Sequence, residues 1–384
     1  MLLYIHAPFC KRKCAYCGFV SYENRENEAE AYFTNVLKEA EQRKDEFCEP
    51  FTTLYIGGGT PSLVPSQTIS GFLKDLREIL DLRNLTEASV EANPGTLTEK
   101  WLKAVRGEGI NRISIGLQSA SRKLLRTLGR IHGIEEAVES VRLARQWGFD
   151  NLNLDLMFGI PGQTMNDWLE TLEYAVSLEP EHISTYGLIP EEGTPLKRDL
   201  DSGKISLPDP DAEREMYDTG IHFLAEKGFS QYEISNFAKP GYECKHNVGY
   251  WTQIPYAGLG ISAASMSKVR KTDTGISYER RKNPDTFEAY ASMTHSGNNE
   301  NCEIEPVGER DARFETIMLN LRMNMGLNEA AFFQMHHCSF KELYADKLQT
   351  FVRGGLIVHE DGCWRLTRRG MDIQNRILVE LMDN

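Results

Sequence analysis

The sequence lacks any long apolar run and any excess of basic residues. No segment of its 384 residues approaches the run of about eighteen apolar residues that a membrane-spanning helix needs. Its formal net charge is −13, so it lacks the broad basic surface of a general nucleic-acid binder. The opening residues, "MLLYIHAPF", contain no basic segment of a signal peptide. We therefore predict a cytoplasmic protein with no nucleic-acid partner.

The sequence also lacks the cysteine spacing of a zinc finger, because no second pair complements the one near its start. In the cytoplasm thiols stay reduced, which argues against a disulfide framework for the eight cysteines. Three of them, Cys10, Cys14 and Cys17, share the loop "FCKRKCAYC". The spacing C-x3-C-x2-C suits a [4Fe-4S] cluster in which one iron has no protein ligand. The basic run at residues 11–13 either balances cluster charge and receives an acidic electron donor, or is a solvated charge run.

Over residues 1–200, short β-branched or apolar runs alternate with longer segments of helical period. This alternation predicts a parallel α/β sheet, and we expect a partial (βα)6 barrel. The predicted strands are residues 2–6, 53–57, 88–92, 112–116, 151–157 and 182–187. The predicted crossover helices include residues 30–44, 98–109, 133–148 and 165–180.

Polar residues follow the ends of these predicted strands. The cysteine loop follows the first strand, "GGGTPS" the second, "EANPG" the third and "GLQS" the fourth. Asp155 lies on the fifth strand, and Tyr186 and Gly187 end the sixth. Because α/β folds place their active sites at the carboxyl ends of parallel strands, these groups are expected to meet in one pocket.

The cysteine loop resembles that of the radical S-adenosylmethionine (SAM) superfamily, and "GGGTP" resembles the glycine-rich segment of the same proteins. The resemblance implies that the open iron holds the amino and carboxylate groups of SAM. It further implies that one-electron reduction cleaves SAM to methionine and a 5′-deoxyadenosyl radical. Glycines suit this task because a missing Cβ allows close approach of the backbone.

Further motifs resemble the oxygen-independent coproporphyrinogen oxidase-like group and cover most of the chain. They are "YIHAPFCKRKCAYC", "YIGGGTPS", "EANPG", "RISIGLQS", "LGRIHG", "NLDLMFGIPGQ" and "HNVGYW". The resemblance assigns the three cysteines to the cluster and implies a set of SAM contacts. These are Tyr4, Gly58, Gly59, Thr60, Glu91, Gln118, Arg130 and Asp155, with Gly187 at the same mouth. For an isolated Asp or Glu, a surface or capping role is the alternative, and Arg130 could simply pair with a helix carboxylate.

That group has two branches, and this sequence can be compared with the motifs of each. The oxidase branch has an additional cysteine two residues after the third ligand, where this chain has Phe19, and an extension before its first strand. The heme chaperone branch shares "HNVGYW" at residues 246–251. The resemblance thus favours a chaperone that binds the cluster, SAM and heme and delivers heme to acceptor hemoproteins, some at a membrane surface. An electron donor such as a flavodoxin is a further implied partner.

The alternative function is an oxygen-independent coproporphyrinogen III oxidase, that is, a coproporphyrinogen dehydrogenase-type enzyme that forms protoporphyrinogen IX. A non-catalytic iron-sulfur module is a third class, which the SAM motifs argue against. His246 is the candidate axial heme ligand, since imidazole is a common donor to heme iron, and Cys244 is a second candidate. The alternative for "HNVGYW" is a packed structural corner. His336 and His337 are interpreted as an exposed helix end.

The pattern divides the chain at two places. Residues 1–200 form the barrel, residues 201–305 an extension that carries "HNVGYW", and residues 306–384 a C-terminal domain. In the last region helices at 309–324, 328–336 and 339–355 precede a hairpin at 356–367 and a final helix from Arg368. Helices closing on a hairpin predict a winged-helix-like α+β domain. We prefer a docking or lid role for it over DNA binding, because its basic cluster is small.

Overall fold

Six parallel strands form the first half of the protein in a computed structural model that describes residues 1–47, 49–298 and 301–382. The strands lie side by side in chain order, each hydrogen-bonded to the next. They are β1 (Leu2–Ala7), β2 (Thr53–Gly58), β3 (Glu87–Ala92), β4 (Arg112–Gln118), β5 (Leu152–Phe158) and β6 (His182–Gly187). This confirms the predicted open (βα)6 barrel. Their residues are almost all buried, as expected for strands covered on both faces.

The helices that connect these strands are α1 (Ala29–Arg43), α2 (Ser66–Ile79), α3 (Glu99–Gly107), α4 (Arg122–Thr127), α5 (Ile134–Gln146) and α6 (Met165–Ser177). Each long helix buries one apolar face, as in α3, where Trp101, Leu102 and Val105 are buried. Two of them begin at a threonine whose hydroxyl accepts a backbone N–H, Thr98 before α3 and Thr164 before α6.

The sheet continues beyond both edges of the barrel. The added strands are β7 (Ser230–Gln231), β8 (Asn236–Ala238), β9 (Tyr256–Leu259), β10 (Ala264–Lys271), β11 (Ile276–Lys282) and β12 (Glu303–Val307). Among the described residues this gives a sheet of order β12-β11-β10-β9-β1-β2-β3-β4-β5-β6-β8-β7. Strand β9 runs parallel to β1, whereas β10, β11 and β12 are antiparallel to their neighbours. Helices α7 (Pro195–Asp201), α8 (Pro210–Glu226), α9 (Lys245–Trp251) and α10 (Phe287–Ser296) complete this region.

A buried ion pair attaches the added strands to the barrel. Glu39 and Arg43, one turn apart on α1, lie 2.9 Å from each other with side chains that are 1% and 4% exposed. Arg43 also donates to the Gly258 carbonyl of β9. Glu39 accepts from the Gly260 amide, from Asn283 and from the Tyr290 hydroxyl of α10. Because every polar atom of this pair is bonded, α1, α10 and the added strands are held as one unit.

The C-terminal region has its own hydrophobic core, centred on Phe332, Phe340, Leu348, Trp364 and Leu381. Its helices are α11 (Glu309–Asn320), α12 (Glu329–His336), α13 (Phe340–Leu343), α14 (Ala345–Arg353), α15 (Arg368–Asp372) and α16 (Gln374–Met382). They close on an antiparallel sheet of β13 (Leu327–Asn328), β15 (Cys363–Leu366) and β14 (Ile357–Glu360), in that spatial order. This is the predicted helix-and-hairpin arrangement. The domain boundaries at residues 200 and 305 stay predictions.

Three local expectations for this region need correction. Residues 339–355 form two helices interrupted at Tyr344, and the final helix is interrupted at Ile373. His336 is 1% exposed and bonds the Thr316 hydroxyl at 2.8 Å through Nε2, so it belongs to the interior. Only His337 is exposed, in the left-handed conformation that ends α12. In the described ranges no helix is both long and apolar enough to cross a bilayer.

Replacing Glu39 by Ala is expected to lower the free energy of unfolding by about 3 kcal/mol or more, because it removes the acceptor of several buried donors and leaves the buried Arg43 paired only with the partly exposed Glu46. The control is Glu41→Ala on the same helix. Glu41 pairs with Lys44 at the surface, where such pairs contribute at most about 1 kcal/mol. Urea unfolding followed by circular dichroism measures both, and equal losses would contradict the role given to Glu39.

Candidate functional site

The cysteine loop lies above β1 at the carboxyl ends of the barrel strands. Its short strand Phe9–Cys10 pairs in parallel with Tyr22–Glu23, and the Asn24 amide donates to the Cys10 carbonyl at 3.1 Å. Cys10, Cys14 and Cys17 are half-buried free thiols. Burial raises the pKa of the Cys10 and Cys17 thiols, so a bound metal is what would hold them as thiolates.

A chain of hydrogen bonds fixes this loop on the barrel. Arg130 donates to Asn93 Oδ1 at 2.6 Å and to the Tyr16 hydroxyl at 3.0 Å, and Tyr16 lies between two of the cysteines. Asn93 in turn donates to Thr60 Oγ1, which lies 3.7 Å from the sulfur of Cys10. The Nε of Arg130 is buried without a partner. Arg130 and Thr60, both predicted site residues, are thereby brought to the cysteine loop.

The glycine run after β2 makes close contact with the same loop. The Gly59 amide donates to the Ala7 carbonyl, and a Cβ at Gly59 would lie 2.7 Å from the Phe9 carbonyl oxygen. Gly58 has φ +105°, and a Cβ there would meet the ring of His6 at 2.3 Å. Gly59 therefore requires glycine for backbone packing against the cysteine loop, and Gly58 requires it for its positive φ and its contact with the His6 ring. The sequence predicts glycine here for a different reason, namely close approach of SAM to the backbone. Contacts of these glycines with SAM stay a prediction.

Two predicted carboxylates share the interior of the barrel. Glu91 accepts from the Tyr55 hydroxyl at 2.9 Å and from the Gly58 amide at 3.0 Å. Asp155 accepts from Ser114 and from Asn153. Burial and the repulsion from Asp155 raise the pKa of Glu91 to about 7, and burial raises the pKa of Asp155. Such a pair favours a cationic or hydroxyl-bearing ligand, which would offset the repulsion.

Gln118 is the predicted residue with the most unusual backbone. Its φ is +65°, and the register between β4 and β5 shifts at this point. A Cβ at Gly116 would lie 3.1 Å from Gln118 Nε2 and 3.2 Å from an Arg130 nitrogen, so the two side chains meet over that glycine. A non-glycine residue in the left-handed region costs energy and often marks a functional segment.

Tyr4 and Gly187 lie in different surroundings. The Tyr4 hydroxyl bonds Nδ1 of His6 at 3.0 Å, and Nε2 of His6 bonds the Val20 carbonyl at 2.8 Å, which connects β1 to the far side of the cysteine loop. Burial lowers the pKa of His6 to about 4, so the ring is neutral. A Cβ at Gly187 would meet Phe158 and Glu213, so Gly187 faces those side chains rather than the carboxylate pair.

The motif "HNVGYW" forms α9 at the opposite end of the strands. His246 is 1% exposed; its Nδ1 bonds the hydroxyl of Thr53, the first residue of β2, at 2.7 Å, and its Nε2 bonds Tyr250 at 3.0 Å. Cys244 is fully buried, and its thiol lies 3.5 Å from a Glu87 oxygen. Neither ring nitrogen is free for a metal as the protein stands. The arrangement is that of the packed corner, and axial ligation by His246 stays a prediction.

A cleft of about 1020 Å³ runs from Glu91 of the carboxylate pair to the added strands. Barrel residues form one wall, β9 to β11 form a second, and α11 of the C-terminal domain forms a third. Its lining is rich in aromatic and sulfur-containing side chains and includes two basic ones. Its lining includes Tyr4, Phe19, Tyr55, Gly58, Glu91, Tyr256, Met266, Tyr278, Arg280, Lys282, Glu315 and Met318. Helix α9 also contributes to the lining, through His246, Asn247 and Tyr250.

Comparison with known proteins supports the resemblance of the cysteine loop to that of radical SAM proteins. The family model of the Radical SAM superfamily matches residues 4–175, and that of the HemN C-terminal domain matches residues 308–373. The heme chaperone HemW of Lactococcus lactis is 31% identical over 99% of this chain and 96% of its own length. The chain belongs to the HemW family of radical SAM proteins. The HemW protein of Escherichia coli is 39% identical over 68% of each chain.

The fold has a solved counterpart. The structure of coproporphyrinogen III oxidase (HemN) from Escherichia coli matches all of this chain and 90% of its own, with a TM-score of 0.83 and 24% identity. At that identity the likeness establishes the fold alone, with its C-terminal domain. Membership of the radical SAM superfamily implies a [4Fe-4S] cluster and SAM as cofactors.

The residues of the loop fit such a cluster. Among the described residues no three His, Cys, Asp or Glu side chains surround one point as ligands of a single ion would. A [4Fe-4S] cluster has no such requirement, because each thiolate binds a different iron. The neighbouring Arg130 supplies a buried positive charge for a negative cluster. The cluster and SAM would thus lie between the cysteine loop and the carboxylate pair.

The sequence alone did not predict the residues whose side chains connect the cysteine loop to the barrel. Asn93 lies in "EANPG" and His6 in "YIHAPF", but neither is among the predicted site residues. Tyr16, between two cysteines, was also passed over. Polar residues immediately beside a ligand loop or a strand end were the available signal.

Replacing Cys10, Cys14 or Cys17 by Ala is expected to abolish the cluster in the anaerobically reconstituted protein, because each thiolate holds one iron. Iron and sulfide contents measure the effect. The matched controls Cys302→Ala, Cys338→Ala and Cys363→Ala should retain it, as should replacement of Cys48, which lies outside the described residues. A Cys14→Ala variant with unchanged iron and sulfide would overturn the assignment.

Glu91→Gln is expected to stabilise the metal-free protein at pH 8. The folded pKa of Glu91 is about 7 and its ordinary value 4.5, so ionisation on raising the pH between these values costs folding free energy. The neutral glutamine removes this cost, which is about 1–3 kcal/mol for a half-buried group. Urea unfolding should show a gain at pH 8 that shrinks at pH 5. The exposed Glu170→Gln serves as control; a gain of equal size at both pH values would contradict the prediction.

Proposed function

We propose that this protein is a heme chaperone that binds a [4Fe-4S] cluster, SAM and heme and delivers heme to acceptor hemoproteins, including acceptors at a membrane surface. The observation that carries the proposal is the cleft of about 1020 Å³, which reaches Glu91 of the carboxylate pair and extends to the added strands and α11. Its aromatic and methionine lining suits a flat apolar ligand. The proteins named heme chaperone HemW, similar over nearly the whole chain, support the same function.

The cluster would be held by Cys10, Cys14 and Cys17, and SAM by the residues around Tyr4, Glu91 and Asp155. The neutral Glu91 or its anion can accept from an amine or a ribose hydroxyl, and Arg130 orders the loop through Tyr16 and Asn93. Bound to the cluster, SAM supplies radical chemistry. What the chain itself contributes is a site at the edge of a large cleft, where a second ligand can lie beside SAM.

An electron donor is the second partner of this proposal. Lys11, Arg12 and Lys13 are all exposed on the loop that would carry the cluster, in a protein whose net charge is −13. Local positive charge beside a redox centre favours an acidic one-electron carrier of the flavodoxin kind. Exposed Phe19 on the same loop adds an apolar contact next to these cations.

Coproporphyrinogen III oxidase is the alternative function, which the motifs shared with the oxygen-independent coproporphyrinogen oxidase-like group leave open. The composition of the loop argues against it. Phe19 is 66% exposed on the cleft wall, at the place where the oxidase branch has an additional cysteine. Oxidative decarboxylation needs each propionate positioned beside the radical, and without that positioning the rate advantage of proximity is lost.

The reconstituted protein is therefore expected to bind heme and to leave coproporphyrinogen III unconverted, even with reduced cluster and SAM. The heme absorption band measures binding, and chromatography of the porphyrins under anaerobic conditions measures conversion. Formation of protoporphyrinogen IX together with 5′-deoxyadenosine would establish the oxidase instead. Absence of heme binding by the cluster-loaded protein would refute the chaperone proposal.

A further inference from the structure

Strand β11 directs a row of polar side chains into the cleft. Tyr278, Arg280 and Lys282 alternate along the strand, so they share one face, and all three line the cleft. Arg280 and Lys282 are about 7 Å apart, as expected for residues two positions apart on a strand. On the neighbouring β10, Met266 lies opposite Arg280 and Ala264 opposite Lys282, which leaves an apolar floor beside the two cations.

Arg280 also connects this wall to the C-terminal domain. Its guanidinium lies 2.7 Å from Glu315 of α11 and 2.8 Å from Glu305 of β12. The Tyr278 hydroxyl donates to the same Glu315. Glu305 is 64% exposed, whereas Glu315 is 22% exposed and itself lines the cleft. Glu315 therefore occupies, within the cleft, the position that a ligand carboxylate would take on Arg280.

Lys282 is the less constrained of the two cations. It lies 3.1 Å from Asp285 and 3.8 Å from Glu303, and these partners are 48% and 80% exposed. Ion pairs this open to water contribute little free energy, so a ligand carboxylate can replace them at small cost. The two cations thus differ in the contacts that a ligand would replace. Lys282 would lose half-exposed or exposed partners, of which Asp285 also lines the cleft, and Arg280 would lose its contact with α11.

We propose that Arg280 and Lys282 bind the two carboxylates of a planar tetrapyrrole, and that Glu315 is an internal competitor for Arg280. The two propionates of heme lie on neighbouring pyrroles at one edge of the ring, which matches two cations on one strand face. A guanidinium binds carboxylates in a planar two-bond geometry, so ligand and Glu315 compete for the same donors. This inference rests on the proposed function of binding heme.

The competition has a consequence for release. When the ligand takes the donors of Arg280, Glu315 loses its ion pair, and α11 loses a contact with the wall formed by β11. When the ligand leaves, Glu315 restores both. The C-terminal domain is then bound less tightly to the barrel while cargo is present, which couples occupancy of the cleft to an opening of one of its walls.

The test compares heme with heme dimethyl ester, which lacks both carboxylates, in the presence of a mild detergent. Arg280→Gln is expected to weaken heme binding about ten-fold or more, because a charge-assisted bond is lost. Glu315→Gln is expected to strengthen heme binding about three-fold, because the competitor is neutralised. Both variants should bind the dimethyl ester as the unmodified protein does, which also shows that they are folded. Lys271→Gln, on the exposed end of β10, is the control and should change neither affinity.

Opposite effects of the two variants distinguish competition from a structural role. If the Arg280–Glu315 pair only supported the fold, both variants would weaken both ligands alike, and the inference would be overturned. Heme binding that is normal in the unmodified protein and unchanged in both variants would also overturn it while leaving the proposed function intact. Failure of the unmodified protein to bind heme would refute the proposed function and the inference with it.

Discussion

The hydrogen bonds of one guanidinium, that of Arg130, hold together the parts of this site that are far apart in sequence. They join the segment between α4 and α5 to Asn93 after β3 and to Tyr16 of the cysteine loop. Arginine stays charged when buried, so this contact is permanent, and it places a positive charge beside the thiols. Backbone hydrogen bonds of Ala15 with Leu128 and Leu196, and of Thr60 with Phe9, add to this attachment of the cysteine loop.

The sequence predicted the barrel well and its connections poorly, for a physical reason. Strands such as β4 and β5 carry an apolar residue at every second position, and their crossover helices have an amphipathic period, so local pattern was sufficient. The connectors act across long separations, as in the bond between Asn93 and Thr60, which are 33 residues apart. Strands β9 to β12 were not predicted, because they depend on pairing with β1 and on the buried Glu39–Arg43 pair rather than on local propensity.

The motif "HNVGYW" shows that a residue can be selected from sequence while its structural surroundings are not predicted. Sequence alone made His246 a candidate ligand, and it could not show that α9 lies where β2 and β3 begin. There the carboxylate of Glu87 accepts the Lys245 and His246 amides, and the ring of His246 stacks on Tyr55 at 5.2 Å. Since the Tyr55 hydroxyl donates to Glu91, α9 helps to position one member of the carboxylate pair from the amino-terminal side of the strands.

The open barrel explains why the cleft can extend from the barrel to the added strands. A closed eight-stranded barrel is filled by its own side chains and leaves room only above its mouth. Among the described strands β1 pairs outward with β9, and β6 with β8, so the ring is left unclosed. The cleft lies along the β1 side, where the added strands and α11 supply the missing wall. A ligand bound there would contact both domains, and under the proposed competition its affinity would depend on how firmly α11 is held against β11.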